Sequence, residues 1–286
     1  MQTFEHAGYT LTWDEHSSGE HVFIFLHGWS AMRQAWLPHL AFFSPFGSCV
    51  TLDLPGHATA RCPHDFAQLT QEKLLDLEAA AIQQICSGRS ATLVGHSMGG
   101  MVALGVAARL PHLVKRVICI NGVVWGQLMG LLGRMQWALR HRLYPLFWAL
   151  WRFTQLSEQT QMFGVAQYVH QKRNIWQNEL AWRICHETYP SYRQQSLANL
   201  ALLLQLLETC DLRSQALTLQ MPLLALTGAN DTIVSPNQAA WLADRLPHAE
   251  LAVIAETGHL PHIEAPGTFE QIVKNWLKNH TLPAET

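Results

Sequence analysis

Short apolar segments recur along the chain, and each stops at or near a glycine. They span 21–28, 49–56, 91–97, 116–122, 222–228 and 250–258. Each has the length of a strand and is rich in β-branched or aromatic residues. Runs that are apolar on both faces are typical of strands buried in a parallel sheet. At the start of the chain, "TFEHAGYTLTWDE" predicts a hairpin that turns at Gly8 and forms an antiparallel edge.

Stretches with a helical period lie between several of these segments, at 69–85, 99–110, 237–246 and 268–279. This alternation predicts an α/β fold in which helices flank a mostly parallel central sheet. From about Val123 to Gln215 no strand pattern is present, and six of the eleven tryptophans lie there. We therefore predict a core domain formed by 1–122 and 216–286, with a helical cap, 123–215, inserted after the sixth strand.

Composition narrows the classes of function. The 286 residues are 49% hydrophobic and carry a formal net charge of −2, and no basic run indicates a nucleic-acid partner. The N-terminal stretch has neither a basic segment nor an apolar segment of secretory type, so we predict no secretory signal. Because the cysteines do not suggest a disulfide framework, we predict a cytoplasmic protein. The scattered cysteines have no zinc spacing and are predicted to be reduced core thiols; they are Cys49, Cys62, Cys86, Cys119, Cys185 and Cys210. No metal-binding or phosphate-loop string is present, and we predict no cofactor and no metal.

The segment "LVGHSMGG" (93–100) contains the pattern G-x-S-x-G, with a predicted strand before it and a predicted helix after it. A turn this tight between strand and helix holds the central serine at the carboxyl end of the strand, as in a nucleophile elbow. A glycine-rich turn with an incidental serine is the simpler interpretation, but the flanking elements favour Ser97 as a nucleophile.

A serine nucleophile needs a base and a group that orients the base. Asp231 lies just past the 222–228 strand and His259 just past the 250–254 strand, which gives the order Ser, Asp, His along the chain. His262 is the nearest rival base, and Glu256 and Asp211 are rival acids. We favour Asp231 and His259 because both lie just past a predicted strand.

The oxyanion of a tetrahedral intermediate needs amide donors. One is the amide of Met98, which follows the predicted nucleophile. The second should come from the loop after an early strand, where "FLHGWS" (25–30) places His27, Gly28 and Trp29.

These motifs together resemble the α/β-hydrolase superfamily over nearly the whole chain outside the cap. The resemblance rests on His27-Gly28, "DLPGH" (53–57), the elbow, "GANDTIVSP" (228–236) and "GHLPHIEAP" (258–266). It implies a Ser97–His259–Asp231 triad, oxyanion amides from Trp29 and Met98, and a helical cap at 123–215. Among its members, the chain is most similar to carboxylesterases that cleave the methyl ester of pimeloyl-acyl carrier protein.

The leading hypothesis is a serine hydrolase that cleaves carboxylic esters with apolar acyl chains through an acyl-enzyme on Ser97. Thioester hydrolysis, acyl transfer and C–C bond hydrolysis use the same triad and are alternatives. A ligand-binding receptor that keeps the triad and turns over slowly is a further alternative.

The cap should determine what binds. The run "LYPLFWALW" (143–151) is too short for a membrane span, which needs about 20 residues, and Pro145 suits the first turn of a helix. We predict that this helix covers the acyl pocket. The predicted substrate contacts are Gly28, His96, Trp125, Trp148 and Trp151.

Within 123–160 the cap has four arginines and only one acidic residue, Glu158. The arginines are Arg134, Arg140, Arg142 and Arg152. We predict that these arginines bind an acidic acyl carrier protein, as the resemblance implies, or contact the surface of an anionic membrane. The alternative is that they extend over a packed cap into water.

Overall fold

A computed structural model describes residues 1–63 and 65–282, and its centre is an eight-stranded sheet with the order β1-β2-β4-β3-β5-β6-β7-β8. The first pairs, β1–β2 and β2–β4, are antiparallel, and every other pair is parallel. The predicted mostly parallel sheet and its edge hairpin are confirmed. The strands are β1 (Gln2–His6), β2 (Tyr9–Glu15), β3 (His21–Leu26), β4 (Ser48–Asp53), β5 (Ser90–His96), β6 (Val114–Ile120), β7 (Leu223–Gly228) and β8 (Ala249–Ile254).

Strand β3 illustrates why the sheet is buried on both faces. Alternate side chains of a strand point to opposite faces, and here Ile24 and Leu26 join one apolar cluster while Phe23 and Phe25 join another. The first cluster includes residues of the second and third α-helices, and the other includes residues of the last helix. Helices therefore cover both faces of the sheet, as an α/β fold requires.

The four helices predicted for the core are present, with ends shifted by at most two residues. The α-helices of the core are α1 (Leu40–Phe43), α2 (Gln71–Cys86), α3 (Met98–Arg109), α10 (Asn237–Arg245), α11 (Pro261–Glu264) and α12 (Pro266–Asn279). Helix α2 begins after Thr70 because the Thr70 side chain accepts a hydrogen bond from the amide of Lys73 and so caps the first turn.

The insertion after β6 is helical, as predicted. Between β6 and β7 lie α4 (Gly130–Arg140), α5 (Tyr144–Thr154), α6 (Glu158–Val165), α7 (Glu179–Tyr192), α8 (Leu197–Thr209) and α9 (Arg213–Ala216). The division into a core, 1–122 and 216–286, and a cap, 123–215, stays a prediction, and residues 283–286 of that core lie outside the described residues.

Most of the apolar run "LYPLFWALW" folds as α5, with Pro145 in its first turn. Only Phe147, Trp151 and Thr154 are buried, which is a single stripe at the spacing i, i+4, i+7. The remaining side chains of α5 are exposed or half-buried. None of the described helices combines the length and apolarity needed to cross a bilayer.

Candidate active site

Ser97 lies in the turn between β5 and α3, with φ 55° and ψ −115°, a conformation that L residues rarely adopt. The two glycines of the motif make this turn possible. A Cβ atom on Gly95 would lie 2.2 Å from the carbonyl oxygen of Gly99, and one on Gly99 would lie 2.2 Å from that of Leu26. Only glycine fits at positions 95 and 99, and the tight turn that they allow holds Ser97 at the carboxyl end of β5.

Asp231 and His259 are hydrogen-bonded to each other. The distance between His259 Nδ1 and Asp231 Oδ2 is 2.7 Å, and both side chains are almost fully buried. The other carboxylate oxygen, Oδ1, accepts hydrogen bonds from the amides of Ile233 (2.7 Å) and Val234 (3.1 Å). The Asp231–His259 bond occupies Nδ1 and leaves Nε2 as the ring nitrogen that can act on a second group.

Asn121 is a further partner of Asp231, which the sequence analysis missed. Its Nδ2 donates a hydrogen bond to Asp231 Oδ2. Burial acts to raise the pKa of Asp231, but the His259 ring, the Ile233 amide and Asn121 together outweigh it and hold that pKa below its ordinary value. Asp231 therefore stays ionised and can orient the ring of His259.

The backbone of His259 is held from two sides. Its amide donates to the carbonyl of Tyr168 in the cap (2.7 Å), and its carbonyl accepts a hydrogen bond from Nε2 of His96 (2.8 Å). His96 is the residue before Ser97, so the turn that carries Ser97 also contacts the loop that carries His259. Burial lowers the pKa of His96 to about 3, which keeps this ring neutral.

Glu264 fixes the same loop and was also missed by the sequence analysis. Its Oε1 accepts hydrogen bonds from the amides of Gly258 (2.8 Å) and Leu260 (3.2 Å), the two neighbours of His259. Its Oε2 accepts from the amide of His170 in the cap (2.8 Å). Glu264 lies within the quoted motif "GHLPHIEAP", but its part in the loop depends on the turn that brings residue 264 back toward residue 258.

Ser97 and His259 line one cavity of about 130 Å³ beneath the cap. Apolar side chains from four cap helices, Leu132, Trp151, Val165 and Ile184, form much of its wall. The Ser97 hydroxyl makes no hydrogen bond within residues 1–63 and 65–282, and hydrogen bonds of catalytic groups are often long without substrate. The cavity therefore joins a buried serine and a buried histidine to an apolar compartment.

Two neutral histidines shape the loop that carries Gly28 and Trp29. His27 donates through Nδ1 to the carbonyl of Gly28 (2.8 Å) and accepts at Nε2 from the amide of Leu54 (3.0 Å). His57 accepts at Nε2 from the amide of Ser30 (3.1 Å). Burial lowers the pKa of His27 to about 4 and that of His57 to about 3, so each ring keeps one nitrogen free to accept.

The predicted oxyanion residues lie beside Ser97. Trp29 lines the cavity, and a Cβ atom on the preceding Gly28 would lie 3.3 Å from Cβ of Ser97. Met98 is the first residue of α3, where the backbone amide has no acceptor inside the helix. Both amides thus belong to backbone that surrounds the serine.

Three of the five predicted substrate contacts lie at the cavity, and two do not. Gly28, His96 and Trp151 line the cavity, and the Trp151 ring packs on that of Trp29 at 4.7 Å. Trp148 is on the outer side of α5 and is 47% exposed, because α5 buries only the stripe that contains Trp151. Trp125 packs on Trp241 instead and lies off the cavity, since its backbone bonds to Gln238 of α10.

The rivals for base and acid lie elsewhere. His262 lines the cavity wall, but its ring stacks on Trp36 (5.3 Å), and Nδ1 has no hydrogen-bond partner within the described residues. Glu256 is exposed, and Asp211 is an exposed partner of Arg213 at 2.6 Å. His259 is therefore the histidine of this cavity that is bonded to a carboxylate.

All four arginines singled out in the cap are exposed. Arg140 pairs with Glu208 at 3.1 Å, and Arg152 donates to the amide oxygen of Gln155. Arg134 and Arg142 make no salt bridge to any described residue. Over residues 1–63 and 65–282 no group of three histidine, cysteine or acidic side chains is arranged to hold a metal ion.

Residues 23–272 match the alpha/beta hydrolase family. The chain is 25% identical over 272 residues to (E)-2-((N-methylformamido)methylene)succinate hydrolase of Acinetobacter baylyi, with 94% of each chain covered. It is 26% identical over 249 residues to pimeloyl-[acyl-carrier protein] methyl ester esterase of Nitrosomonas europaea, covering 86% of this chain and 91% of that one. A solved hydrolase from Pseudomonas aeruginosa shares the fold, with a TM-score of 0.76 and 19% identity over 96% of this chain and 97% of the other.

Proposed function

Because the chain belongs to the alpha/beta hydrolase family, we propose that it is a serine hydrolase that cleaves small carboxylic esters through an acyl-enzyme on Ser97. One observation carries this proposal. The ring of His259, bonded through Nδ1 to the ionised carboxylate of Asp231, lines the same cavity as Ser97 on its strained turn. Names of the two relatives, one a hydrolase and one a methyl ester esterase, support the reaction class.

In the proposed reaction, Ser97 Oγ attacks the carbonyl carbon of the ester while His259 Nε2 takes the hydroxyl proton. Asp231 holds the ring in the tautomer that leaves Nε2 free and stabilises its positive charge. The oxyanion of the tetrahedral intermediate accepts hydrogen bonds from the amides of Trp29 and Met98. When the intermediate collapses, the ester C–O bond breaks, His259 returns the proton to the departing alcohol, and the acyl group stays on Ser97.

Water completes the cycle by the same route. His259 takes a proton from a water molecule that attacks the acyl-enzyme, and the proton then returns to Ser97 Oγ as the acid leaves. The neutral state of His27 and His57 preserves the backbone that presents the Trp29 amide. The proposed site thus needs only side chains and backbone amides of this chain.

Cavity size indicates the acyl group. A dry apolar cavity of about 150 Å³ is known to take one benzene molecule, and the cavity here is about 130 Å³. We therefore propose acyl groups of about six carbon atoms or fewer in the enclosed part of the site. A substrate carried by a larger molecule, such as an acyl carrier protein, would leave its carrier outside the cap and near the cap arginines.

The test is turnover of p-nitrophenyl butyrate and labelling by a fluorophosphonate probe in wild type and Ser97→Ala. Turnover should fall by at least about a thousandfold, and labelling should disappear, because the alanine offers no oxygen to attack. Ser214→Ala, at an exposed position of α9, is the control and should behave as wild type. Persistent labelling of Ser97→Ala would exclude Ser97 as the nucleophile.

A further inference from the structure

Large apolar side chains are exposed mainly on one part of the cap. Nine of the fourteen exposed large apolar side chains among the described residues lie between positions 129 and 163. Four of them are on the outward side of α5, which we call the α5 face: Tyr144, Leu146, Trp148 and Phe153. Clusters of exposed large apolar side chains on a soluble protein often mark a surface that binds something.

The α5 face lacks the polar residues of a water-facing helix. Arg152 is the only charged residue in α5, although all side chains outside its buried stripe are exposed or half-buried. Leu146 is 62% exposed, and Leu156, just beyond the helix, is 70% exposed. The surface continues onto α6, because the exposed Phe153 ring packs on that of Phe163 at 5.7 Å.

The segment that carries this face is basic, although Glu158 begins the neighbouring helix α6 and Glu208 pairs with Arg140 at 3.1 Å. Residues 123–157 contain four arginines and no aspartate, glutamate or lysine, which gives a formal charge of +4. Since the whole chain carries −2, the remainder carries a formal charge of −6. An anionic surface would therefore attract this segment more strongly than the rest of the chain.

We propose that the α5 face docks on an anionic lipid bilayer, with its leucine and aromatic side chains in the interfacial region and Arg142 and Arg152 on the lipid headgroups. Tryptophan and tyrosine are enriched at the boundary of a bilayer, and arginine beside apolar residues is typical of helices that lie in its plane. Isologous contact between two copies would bring the arginines against one another, which is unfavourable. The inference does not depend on the proposed reaction.

This docking would place the membrane against the outer wall of the candidate active site. Trp151, on the buried stripe of α5, lines the cavity that contains Ser97. One helix therefore separates the proposed lipid contact from the proposed acyl pocket.

The experiment is flotation of the full chain with vesicles of phosphatidylcholine alone or mixed with phosphatidylglycerol. Wild type should bind the mixed vesicles, bind the neutral ones more weakly, and lose binding as salt is raised. Leu146→Glu should weaken binding at least about tenfold, and Arg142→Glu about fivefold. Matched controls outside the face are Leu217→Glu, at a leucine that is 52% exposed, and Arg245→Glu, at an exposed arginine of α10; both should bind as wild type.

Turnover of p-nitrophenyl butyrate by Leu146→Glu, equal to that of wild type, would show that the variant is folded. If neither wild type nor the variant turns the ester over, an unchanged urea unfolding midpoint would show that Leu146→Glu is folded. Ser97→Ala should bind vesicles as wild type does, because the docking does not depend on the proposed reaction. Failure of wild type to bind mixed vesicles would overturn the proposal. Two other results would also overturn it. One is that the protein forms a dimer that Leu146→Glu dissociates. The other is that the protein binds an acidic acyl carrier protein but no vesicles, and that Arg142→Glu abolishes this binding.

Discussion

Asn121 shows how a single residue outside the proposed triad can govern it. It follows β6 directly, has a positive φ of 46°, and donates its backbone amide to the carbonyl of Leu226 in β7 (2.8 Å). This backbone contact aims its side chain at Asp231, whose Oδ2 then has two donors, Asn121 Nδ2 and His259 Nδ1. We infer that Asn121 is a positioning residue that holds the carboxylate for His259.

Replacing Asn121 with alanine should lower kcat/KM for p-nitrophenyl butyrate by about 10- to 100-fold, since a hydrogen bond to a charged group contributes about 1.5–3 kcal/mol. Loss of a donor to the ionised form raises the pKa of Asp231. The acidic limb of the pH profile of kcat/KM should therefore move to higher pH. Asn275→Ala, at an exposed position of α12, is the control. An unshifted limb in Asn121→Ala would contradict a positioning role.

Helix α5 has one side against the cavity and the other side exposed. Its buried stripe packs Trp151 on Trp29 (4.7 Å) and against Tyr192 (6.2 Å), which makes it part of the cavity wall. The side chains on its outward side are nearly as hydrophobic as those of the buried stripe. Because apolar residues cover almost the whole circumference of α5, periodicity alone does not show which side is buried.

Trp151→Leu should enlarge the cavity and move the preferred substrate toward longer acyl chains, because the indole now occupies part of the wall. The measurement is kcat/KM over p-nitrophenyl esters from acetate to octanoate. Trp148→Leu changes the same residue type on the exposed side of the same helix, and its chain-length preference should match wild type. Equal profiles for all three proteins would show that Trp151 does not limit the acyl chain.

At the scale of the whole molecule, eight of the fifteen histidines that the structure describes are buried or half-buried. Burial is the leading reason that the pKa values of six of them lie far below the ordinary value of about 6.5. The six are His21 (about 3), His27 (about 4), His39 (about 4), His57 (about 3), His96 (about 3) and His262 (well below 6.5). The folded chain therefore keeps these rings neutral at pH values where the unfolded chain protonates them.

The free energy of unfolding should decrease as pH falls from about 6.5 to about 4, because the unfolded chain binds more protons over this range. Above pH 6.5 the rings are neutral in both states, so their contribution is constant. Burial raises the pKa of Glu78 and Glu264, which act in the opposite sense, but two carboxyl groups oppose six histidines. Urea midpoints across this range provide the check.

His39→Gln removes one of these rings and should make the pH dependence of the urea midpoint shallower. A midpoint that stays constant, or that rises as the pH is lowered toward 4, would contradict the assignment of these histidines as neutral groups in the folded protein.

Local sequence was sufficient to predict most elements of the core and the turn around Ser97. Strand and helix have different hydrophobic periods, and the contact that requires Gly95 lies within the turn itself, whereas the contact that requires Gly99 comes from Leu26 of β3. The order of Ser97, Asp231 and His259, each after its own strand, also predicted that they would meet, since the carboxyl ends of parallel strands share one edge of the sheet.

Tertiary structure alone decided the partners around those residues. Asn121 reaches Asp231 because β6 and β7 are neighbours in the sheet, and Tyr168 reaches His259 because the cap folds back over the core. It also decided that Trp151, rather than Trp148 or Trp125, lines the cavity. These contacts join residues far apart in the chain, and their formation depends on how whole elements pack, which a local pattern of polar and apolar residues does not encode.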